Sequence, residues 1–229
     1  MQILDNLEKI QNEISLAASR AGRDAKDIIL LGATKTVDPE NIQKAVDGGL
    51  SYIGENRVQE LLEKYDKVGN AHWHFIGHLQ TNKVKYIIDK AELIHAVDSL
   101  HLLEEIEKQA KKRNITANVL IEVNASGEES KFGAEFDAVR PLIEANEKNE
   151  NVKISGLMTI GPHTSDKDEI RKAFRNMYSL YEALGKETYK NARMQYLSMG
   201  MSGDYTVAIE EGANIVRIGS AIFGHRKWR

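Results

Sequence analysis

Eight short apolar segments, each followed by a stretch of helical periodicity, constrain the fold of this chain more than any other feature of its sequence. They are IILLGAT (28–34), SYIGE (51–55), WHFIG (73–77), LIHAV (93–97), NVLIEVN (118–124), ISGLMTIG (154–161), QYLSMG (195–200) and NIVRIG (214–219). Strands that alternate with helices favour a parallel sheet, because parallel neighbours need a crossover connection. Eight such units within 229 residues predict an α/β fold, a single-domain (β/α)8 TIM barrel that covers residues 1–229. A doubly wound open sheet is the alternative, but no G-x-G-x-x-G pattern follows any of these strands.

A helix precedes the first predicted strand. Leu7, Ile10 and Ile14 follow one another at steps of three or four residues, which is the spacing of an amphipathic helix. We expect this leading helix within residues 1–22, with its end near Gly22.

Composition narrows the class of protein. Hydrophobic residues make up 41% and charged residues 28% of the chain, which is ordinary for a globular protein. A net charge of −3 argues against a general binder of nucleic acid or anionic membranes. The chain has no cysteine, which excludes a disulfide scaffold, a thiolate metal site and a cysteine nucleophile. The start lacks a signal-peptide core, and no apolar run approaches the ~20 residues of a membrane span, so we expect a cytoplasmic protein.

Polar residues are found toward the carboxyl ends of the predicted strands. Within residues 118–124, apolar Val119 and Ile121 alternate with Glu122, which predicts one face toward the helices and one toward the barrel interior. Active sites of this fold lie at the carboxyl end of the strands. The polar residues at that end are Lys35, Asn56, Asn124, Ser198 and Arg217.

Lys35 follows the first predicted strand and stands between two threonines. Residue type alone favours a solvated surface lysine. A lysine at the end of a barrel strand can instead face the mouth of the barrel. There, burial or a nearby cation lowers the lysine pKa and lets the amine form an imine with an aldehyde.

Small residues follow the seventh and eighth predicted strands. Ser202-Gly203 lies in the first of these turns and Gly219-Ser220 in the second. A simple tight turn explains either one alone. Barrels often bind phosphate with the loops after strands seven and eight, where small residues let the backbone approach an anion. The pair therefore predicts a phosphorylated ligand, and the absence of a Walker A pattern argues against a nucleoside triphosphate.

Arg217 stands within the apolar eighth segment. Its charge cannot be removed, so its burial requires a partner. Two interpretations stay open with equal weight. Arg217 forms a structural ion pair with a residue such as Glu122, or it donates to the phosphate or a ring nitrogen of a ligand.

Three histidines raise the question of a metal site. His72 and His74 share a strand face, and His78 follows in the next loop. No carboxylate cluster accompanies them, which favours core or supporting histidines, and we predict no metal site. The sequence also lacks the G-x-S-x-G and H-E-x-x-H patterns of hydrolases, and we predict no catalytic residues.

An imine-forming lysine, a phosphate cradle and an arginine in one barrel match an aldehyde that carries a phosphate and a ring nitrogen. Pyridoxal 5′-phosphate (PLP) has all three groups. Lys35 would carry it as a covalent aldimine, and Arg217 would face the ring nitrogen. Because arginine keeps its proton, that nitrogen would stay unprotonated and the ring would be a poor electron sink. Such a site suits binding or limited proton transfer.

Motifs across nearly the whole chain resemble the pyridoxal phosphate homeostasis protein family. The segments that carry the resemblance are ATKTV (33–37), YIGENRVQE (52–60), WHFIGHLQTNK (73–83), HAVDS (95–99), VNASGEESKFG (123–133), GLMTIG (156–161), LSMGMSGDY (197–205) and VRIGSAIFG (216–224). HFIGHLQTNK and LSMGMSGDY are quite specific. The resemblance implies the barrel of fold-type III PLP enzymes, similar to the N-terminal domain of alanine racemase.

The same resemblance implies which residues hold the cofactor. Lys35 carries it and Arg217 lies at the ring nitrogen. Lys131 lies near the mouth and influences cofactor exchange. The remaining contacts implied are Asn56 and Met158 at the ring, and Ser202, Gly203, Gly219 and Ser220 at the phosphate.

The function implied is buffering or delivery of PLP in vitamin B6 homeostasis, without robust catalysis. Alanine racemases add a C-terminal domain and a tyrosine base across a dimer, whereas only HRKWR follows Gly224 here. We therefore expect an open site on a monomer that passes PLP to apoenzymes in transient encounters, with no nucleic-acid or membrane partner. The main alternative is a small PLP-dependent amino-acid racemase, which needs a second base such as Tyr52, His78 or Tyr205. A lysine-imine aldolase acting on a phosphorylated sugar is a more distant alternative.

Overall fold

The computed structural model describes residues 2–125 and 132–224, and within them eight parallel strands close a barrel. Each strand pairs with the next in chain order, and the last pairs with the first. This confirms the predicted (β/α)8 barrel. The strands are β1 (Ile29–Ala33), β2 (Tyr52–Glu55), β3 (His72–Phe75), β4 (Leu93–Val97), β5 (Ala117–Glu122), β6 (Val152–Met158), β7 (Ala192–Ser198) and β8 (Ile215–Ile218).

Helices lie before the first strand and after each strand. Capping side chains start three of them: Asp38 accepts a hydrogen bond from the backbone N–H of Asn41 at 2.9 Å, Ser99 accepts one from Leu102 at 3.4 Å, and Asp166 accepts one from Asp168 at 2.9 Å. The helices are α1 (Gln2–Arg20), α2 (Pro39–Asp47), α3 (Val58–Tyr65), α4 (Val84–Ile87), α5 (Leu100–Arg113), α6 (Phe136–Asn146), α7 (Lys167–Gly185), α8 (Tyr205–Glu210) and α9 (Ser220–Phe223). None of these described helices is long and apolar enough to cross a membrane.

The leading helix α1 packs against α8 and α9. Leu7, Ile10 and Ile14 are buried on its inner face, as their spacing predicts. The side-chain amide of Asn6 also donates to the carbonyl of Ile222 at 3.0 Å, which ties α1 to the last helix.

Alternating strand residues build two apolar layers, one inside the barrel and one between strands and helices. Val119 and Ile121 of β5 belong to the layer under the helices, and Leu120 belongs to the interior layer. This alternation confirms the strand faces predicted from the sequence. Burial of both layers supplies the main driving force for folding.

Strand register determines which residues meet at the carboxyl end of the barrel. Ala33 of β1 pairs with Gly54 of β2. Lys35 lies two residues beyond Ala33, so it is level with Asn56. The loops that follow the eight strands therefore surround one mouth.

Candidate functional site

Lys35 lies in the turn after β1, and its side chain is exposed. The next residue, Thr36, has φ of 62°, in the left-handed region that β-branched residues rarely adopt. Its backbone N–H donates to the Glu60 carboxylate of α3 at 2.6 Å. Glu60 therefore holds an unfavourable backbone conformation directly beside Lys35.

A buried ion cluster lies behind this turn. The Lys64 ammonium donates to the carboxylates of Glu55 at 2.8 Å and Glu60 at 2.9 Å, and to the carbonyl of Thr34 at 3.0 Å. The Thr34 hydroxyl donates to the same Glu55 oxygen at 2.7 Å. Burial raises the pKa of Glu55, and the Lys64 charge opposes that shift. The cluster thus fixes the residues on both sides of Lys35.

Arg217 of β8 is buried inside the barrel near its mouth. Its Nη1 donates to the Ser198 hydroxyl at 2.7 Å, and its Nη2 donates to the carbonyl of Thr159 at 2.9 Å. Burial lowers the pKa of Arg217 to about 10, against the charges of Glu122 and Asp204, so it stays charged at neutral pH. A guanidinium has five N–H groups. Those not used in these two bonds have no acceptor among the described residues and are left for a ligand.

The ion pair between Arg217 and Glu122 that the sequence left open is not among the ion pairs of the described residues. Arg217 hydrogen-bonds to Ser198 and Thr159 instead, and Glu122 acts on it through charge at longer range. Burial, and then the nearby charge of Asp98, raise the pKa of Glu122 to about 7, while Arg217 opposes the shift. A buried carboxyl that titrates near neutral pH therefore lies close to the arginine.

The structure brings the two predicted phosphate turns together. Ser202 and Gly203 lie between β7 and α8, and Gly219 precedes α9, whose first residue is Ser220. The backbone N–H of Ala221 points at the Ser202 hydroxyl oxygen at 3.5 Å, which joins the two turns. A Cβ built on Gly203 would meet no heavy atom within 4 Å. The turn therefore borders open space in which an anion can approach the backbone.

Asn56 and Met158, the predicted ring contacts, both lie at the carboxyl ends of strands. Asn56 is half-buried directly after β2, and a Cβ on Gly77 would clash with its backbone carbonyl. Only glycine at position 77 therefore lets the loop after β3 pass this close to Asn56. Met158 ends β6 and is buried in the interior layer of the barrel.

The three histidines singled out in the sequence have different surroundings. Nδ1 of His74 lies 3.0 Å from Nε2 of His95 in the core, as expected of a core histidine. His72 and His78 are exposed, so a core position was wrong for these two, because one begins β3 and the other lies in the loop that follows it. No group of three or more His, Cys, Asp or Glu side chains within residues 2–125 and 132–224 is placed to hold a metal ion.

Two of the three candidate second bases are poorly placed for chemistry at Lys35. Tyr52 begins β2, at the opposite end of the barrel, and its ring stacks on that of His72. The Tyr205 hydroxyl donates to Glu13 of α1, and burial raises the pKa of Tyr205. Among the three, His78 alone lies in a mouth loop and exposes its ring.

Sequence reasoning missed several residues that support the site. His95 and Thr159 contact Ser198 and Arg217 across the barrel, and Lys64 anchors the turn at Lys35. The inward position of His95 within LIHAV was the one available signal, since alternate residues of a barrel strand face the interior. Lys131, which the resemblance placed near the mouth, lies outside the described residues.

Comparison with known proteins agrees with the barrel fold. Residues 6–227 match the family described as alanine racemase, N-terminal domain. A curated pyridoxal phosphate homeostasis protein of Aquifex aeolicus is 47% identical over 230 residues, covering 100% of both chains. An unknown protein of Bifidobacterium adolescentis superposes with a TM-score of 0.88 at 37% identity, covering 96% of this chain and 94% of that one.

A further solved structure holds a ligand. PipY of Synechococcus elongatus PCC7942, with PLP bound, superposes with a TM-score of 0.83 at 27% identity, covering 97% of this chain and 100% of PipY. The barrel, the mouth residues and the full-length similarity lead to one conclusion: this chain belongs to the pyridoxal phosphate homeostasis protein family, built on the fold of the alanine racemase N-terminal domain.

Proposed function

We propose that this protein binds PLP at the carboxyl end of its barrel and buffers or delivers it within the cell, without robust catalysis. The observation that carries the proposal is Arg217, a buried and charged arginine held by Ser198 and Thr159, with N–H groups for which the described part of the chain offers no acceptor. The relative in Aquifex aeolicus is named a pyridoxal phosphate homeostasis protein, and PipY was solved with PLP bound.

Lys35 would hold the cofactor covalently. Its amine attacks the PLP aldehyde, a C=N bond forms, and the aldehyde oxygen leaves as water; addition of water reverses the step. The support is positional. Lys35 is level with Asn56 at the mouth, and its turn is fixed by Glu60 and Lys64. A fixed turn holds the backbone of Lys35 at one place and so reduces the entropy lost on binding.

We propose partners at the mouth for the remaining groups of PLP. The ring nitrogen would accept a hydrogen bond from Arg217, which keeps its proton and so leaves that nitrogen unprotonated. The open space beside Gly203 suits a phosphate. The residues proposed to hold the phosphate are Ser202, Gly203, Gly219 and Ser220, and those proposed to line the ring are Asn56 and Met158.

The geometry favours a carrier over a racemase. Racemisation needs a second acid or base on the face of the cofactor opposite the lysine. Tyr52 lies at the other end of the barrel, and the Tyr205 hydroxyl is bound to Glu13. Of the three candidate bases this leaves His78, which is exposed in a mouth loop. An unprotonated ring nitrogen also stabilises a carbanion poorly. We propose that the protein acts as a monomer in the cytoplasm, with PLP and, transiently, PLP-dependent apoenzymes as its partners.

A transfer assay tests carrier against enzyme. The protein loaded with PLP is mixed with an apoenzyme that depends on PLP, and the recovered activity is followed together with the loss of visible absorbance from the donor. Parallel samples with L-alanine in D2O report exchange of the Cα proton. We expect transfer without appreciable exchange. Exchange that the Lys35→Ala substitution abolishes would contradict the carrier proposal and favour the racemase.

A further inference from the structure

Four buried side chains form one chain of hydrogen bonds through the barrel interior. Arg217 Nη1 donates to Ser198 Oγ at 2.7 Å, and that oxygen lies 3.0 Å from His95 Nδ1. His95 Nε2 lies 3.0 Å from His74 Nδ1. The chain crosses from β8 through β7 and β4 to β3. It links the mouth to a cavity at the amino end of the barrel, which His74 lines together with Tyr52.

Arginine fixes the direction of every bond in this chain. A guanidinium only donates, so Ser198 Oγ is an acceptor toward Arg217. The Ser198 hydroxyl proton then needs its own acceptor, and His95 Nδ1 is the one available among the described residues. His95 must therefore carry its proton on Nε2 and donate it to His74 Nδ1. It follows that His74 also carries its proton on Nε2, toward the cavity at the amino end.

Burial favours the neutral form of both rings that this direction requires. His95 is fully buried and His74 is 4% exposed. Burial, and then the charge of His72, lower the pKa of His74 to about 3, and burial lowers the pKa of His95 as well. Each hydrogen-bonding atom between Arg217 Nη1 and His74 Nδ1 is thus paired, with Ser198 Oγ accepting one bond and donating another, and a fully satisfied buried network is rigid.

From this geometry we infer that His95 is a positioning residue for Arg217 and acts on it through Ser198. The inference rests on the proposed function, because it assigns Arg217 to the ring nitrogen of the bound cofactor. Ser198, at the end of β7, and the carbonyl of Thr159, directly after β6, hold the two Nη groups. Ser198 can keep its lone pair toward Arg217 only while His95 accepts its proton. Loss of that acceptor frees the hydroxyl to rotate and lets the guanidinium shift at the cofactor ring.

The direction of the chain is measurable without any cofactor. Long-range 1H–15N NMR of the uniformly 15N-labelled protein, free of PLP, distinguishes the two neutral histidine tautomers. Signals of His74 and His95 are assigned by their loss in His74→Gln and His95→Asn. We expect both rings to be neutral with the proton on Nε2. A proton on Nδ1 of His95 would overturn the inferred direction.

Binding experiments test the positioning role. Ser198→Ala removes the hydroxyl that accepts from Arg217, and His95→Leu removes the nitrogen that accepts the Ser198 proton. His95→Asn keeps an acceptor near the position of Nδ1. We expect PLP affinity to fall about tenfold in the first two variants, as for loss of one buried hydrogen bond to a charged group. We expect His95→Asn to stay within about threefold of the parent protein. His72→Gln, on the same strand as His74 but exposed, should leave affinity unchanged.

The visible spectrum separates positioning from loss of structure. A displaced Arg217 changes the hydrogen bond to the ring nitrogen, so the absorption maximum of bound PLP should shift in Ser198→Ala and His95→Leu and return in His95→Asn. An affinity and spectrum for His95→Leu identical to those of the parent would refute the positioning role. If the parent protein bound no PLP, the proposed function would fail, while the NMR experiment would still decide the direction of the chain.

Discussion

The backbone N–H of Thr36 lies 2.6 Å from the Glu60 carboxylate, and this contact joins the turn that carries Lys35 to helix α3. Glu60 is bound in turn by Lys64, which also contacts the carbonyl of Thr34. A left-handed β-branched residue costs roughly 1–3 kcal/mol and persists only where its surroundings impose it. The buried cluster therefore supports a strained turn at the residue proposed to bind the cofactor.

Removing the Lys64 charge should destabilise the protein strongly. Lys64→Met leaves the fully buried Glu55 carboxylate with the Thr34 hydroxyl as its main partner. Breaking one side of a buried ion pair costs about 3–5 kcal/mol. Urea denaturation should show that loss, whereas Lys67→Met, on the exposed surface just after α3, should change the free energy of unfolding by less than about 0.5 kcal/mol. Equal stability of the two variants would contradict the role assigned to the cluster.

Gly203→Ala should separate phosphate binding from folding. An added methyl group meets no heavy atom within 4 Å, so the free energy of unfolding should stay within about 0.5 kcal/mol of the parent. The same methyl group would enter the space proposed for the phosphate and lower PLP affinity by about tenfold or more. Gly69→Ala, equally unobstructed but located before β3 at the other end of the barrel, is the matched control. Unchanged affinity in Gly203→Ala, measured by absorbance titration, would place the phosphate elsewhere.

Acidification should destabilise the protein through His74. Its pKa is lowered from 6.5 to about 3 by burial, so below pH 6.5 the unfolded chain binds a proton at this position that the folded protein does not. The contribution of His74 to the free energy of unfolding is therefore at its full value above pH 6.5 and is lost as the pH falls toward 3. Between pH 6.5 and 5 the loss amounts to about 2 kcal/mol. In urea denaturation, the free energy of unfolding of His74→Gln should fall less steeply with decreasing pH than that of the parent protein. Parallel pH profiles of the two proteins would contradict the role assigned to His74.

The contribution of Glu122 to stability should change with pH in the opposite direction, over an overlapping pH range. Its pKa is raised from 4.5 to about 7, mainly by burial, so the folded protein binds the extra proton and the contribution of Glu122 to stability falls as the pH rises through that window. Glu122→Gln should therefore raise the free energy of unfolding at pH 8 by up to about 3 kcal/mol. The gain should shrink toward pH 4.5. A gain that stays constant with pH would show that packing, rather than ionisation, causes it.

Periodicity predicted the elements well and their starting points less well. The predicted segment 93–97 coincides with β4, whereas segments 154–161 and 195–200 begin two and three residues after β6 and β7 begin. The first half of β7 is amphipathic, with Arg193 and Gln195 exposed, so its apolar run starts late. Both segments also extend past the strand, because the predicted run continues into the mouth loop as far as Gly161 and Gly200.

The site was predictable where one residue was unusual for its surroundings, and not where partners lie far apart in sequence. The sequence identified Arg217 as a candidate because it places a charge within an apolar strand. Its partner Thr159 is 58 residues away, and Ser198 is 103 residues from His95. Closure of the barrel brings these residues together, so strand alternation alone could not pair them. The proximity of the two turns proposed to bind phosphate was predictable, because the fold itself makes strands seven and eight neighbours.

Borohydride reduction of the protein after incubation with PLP tests the central claim most directly. The visible spectrum is recorded before and after reduction, and the labelled peptide is mapped by mass spectrometry, with Lys35→Ala as the matched variant. We predict a visible band that reduction removes, with one pyridoxyl group fixed on Lys35 and none at that position in the variant. A protein that stays colourless and unlabelled, or a label fixed on a lysine other than Lys35, would contradict the proposed site.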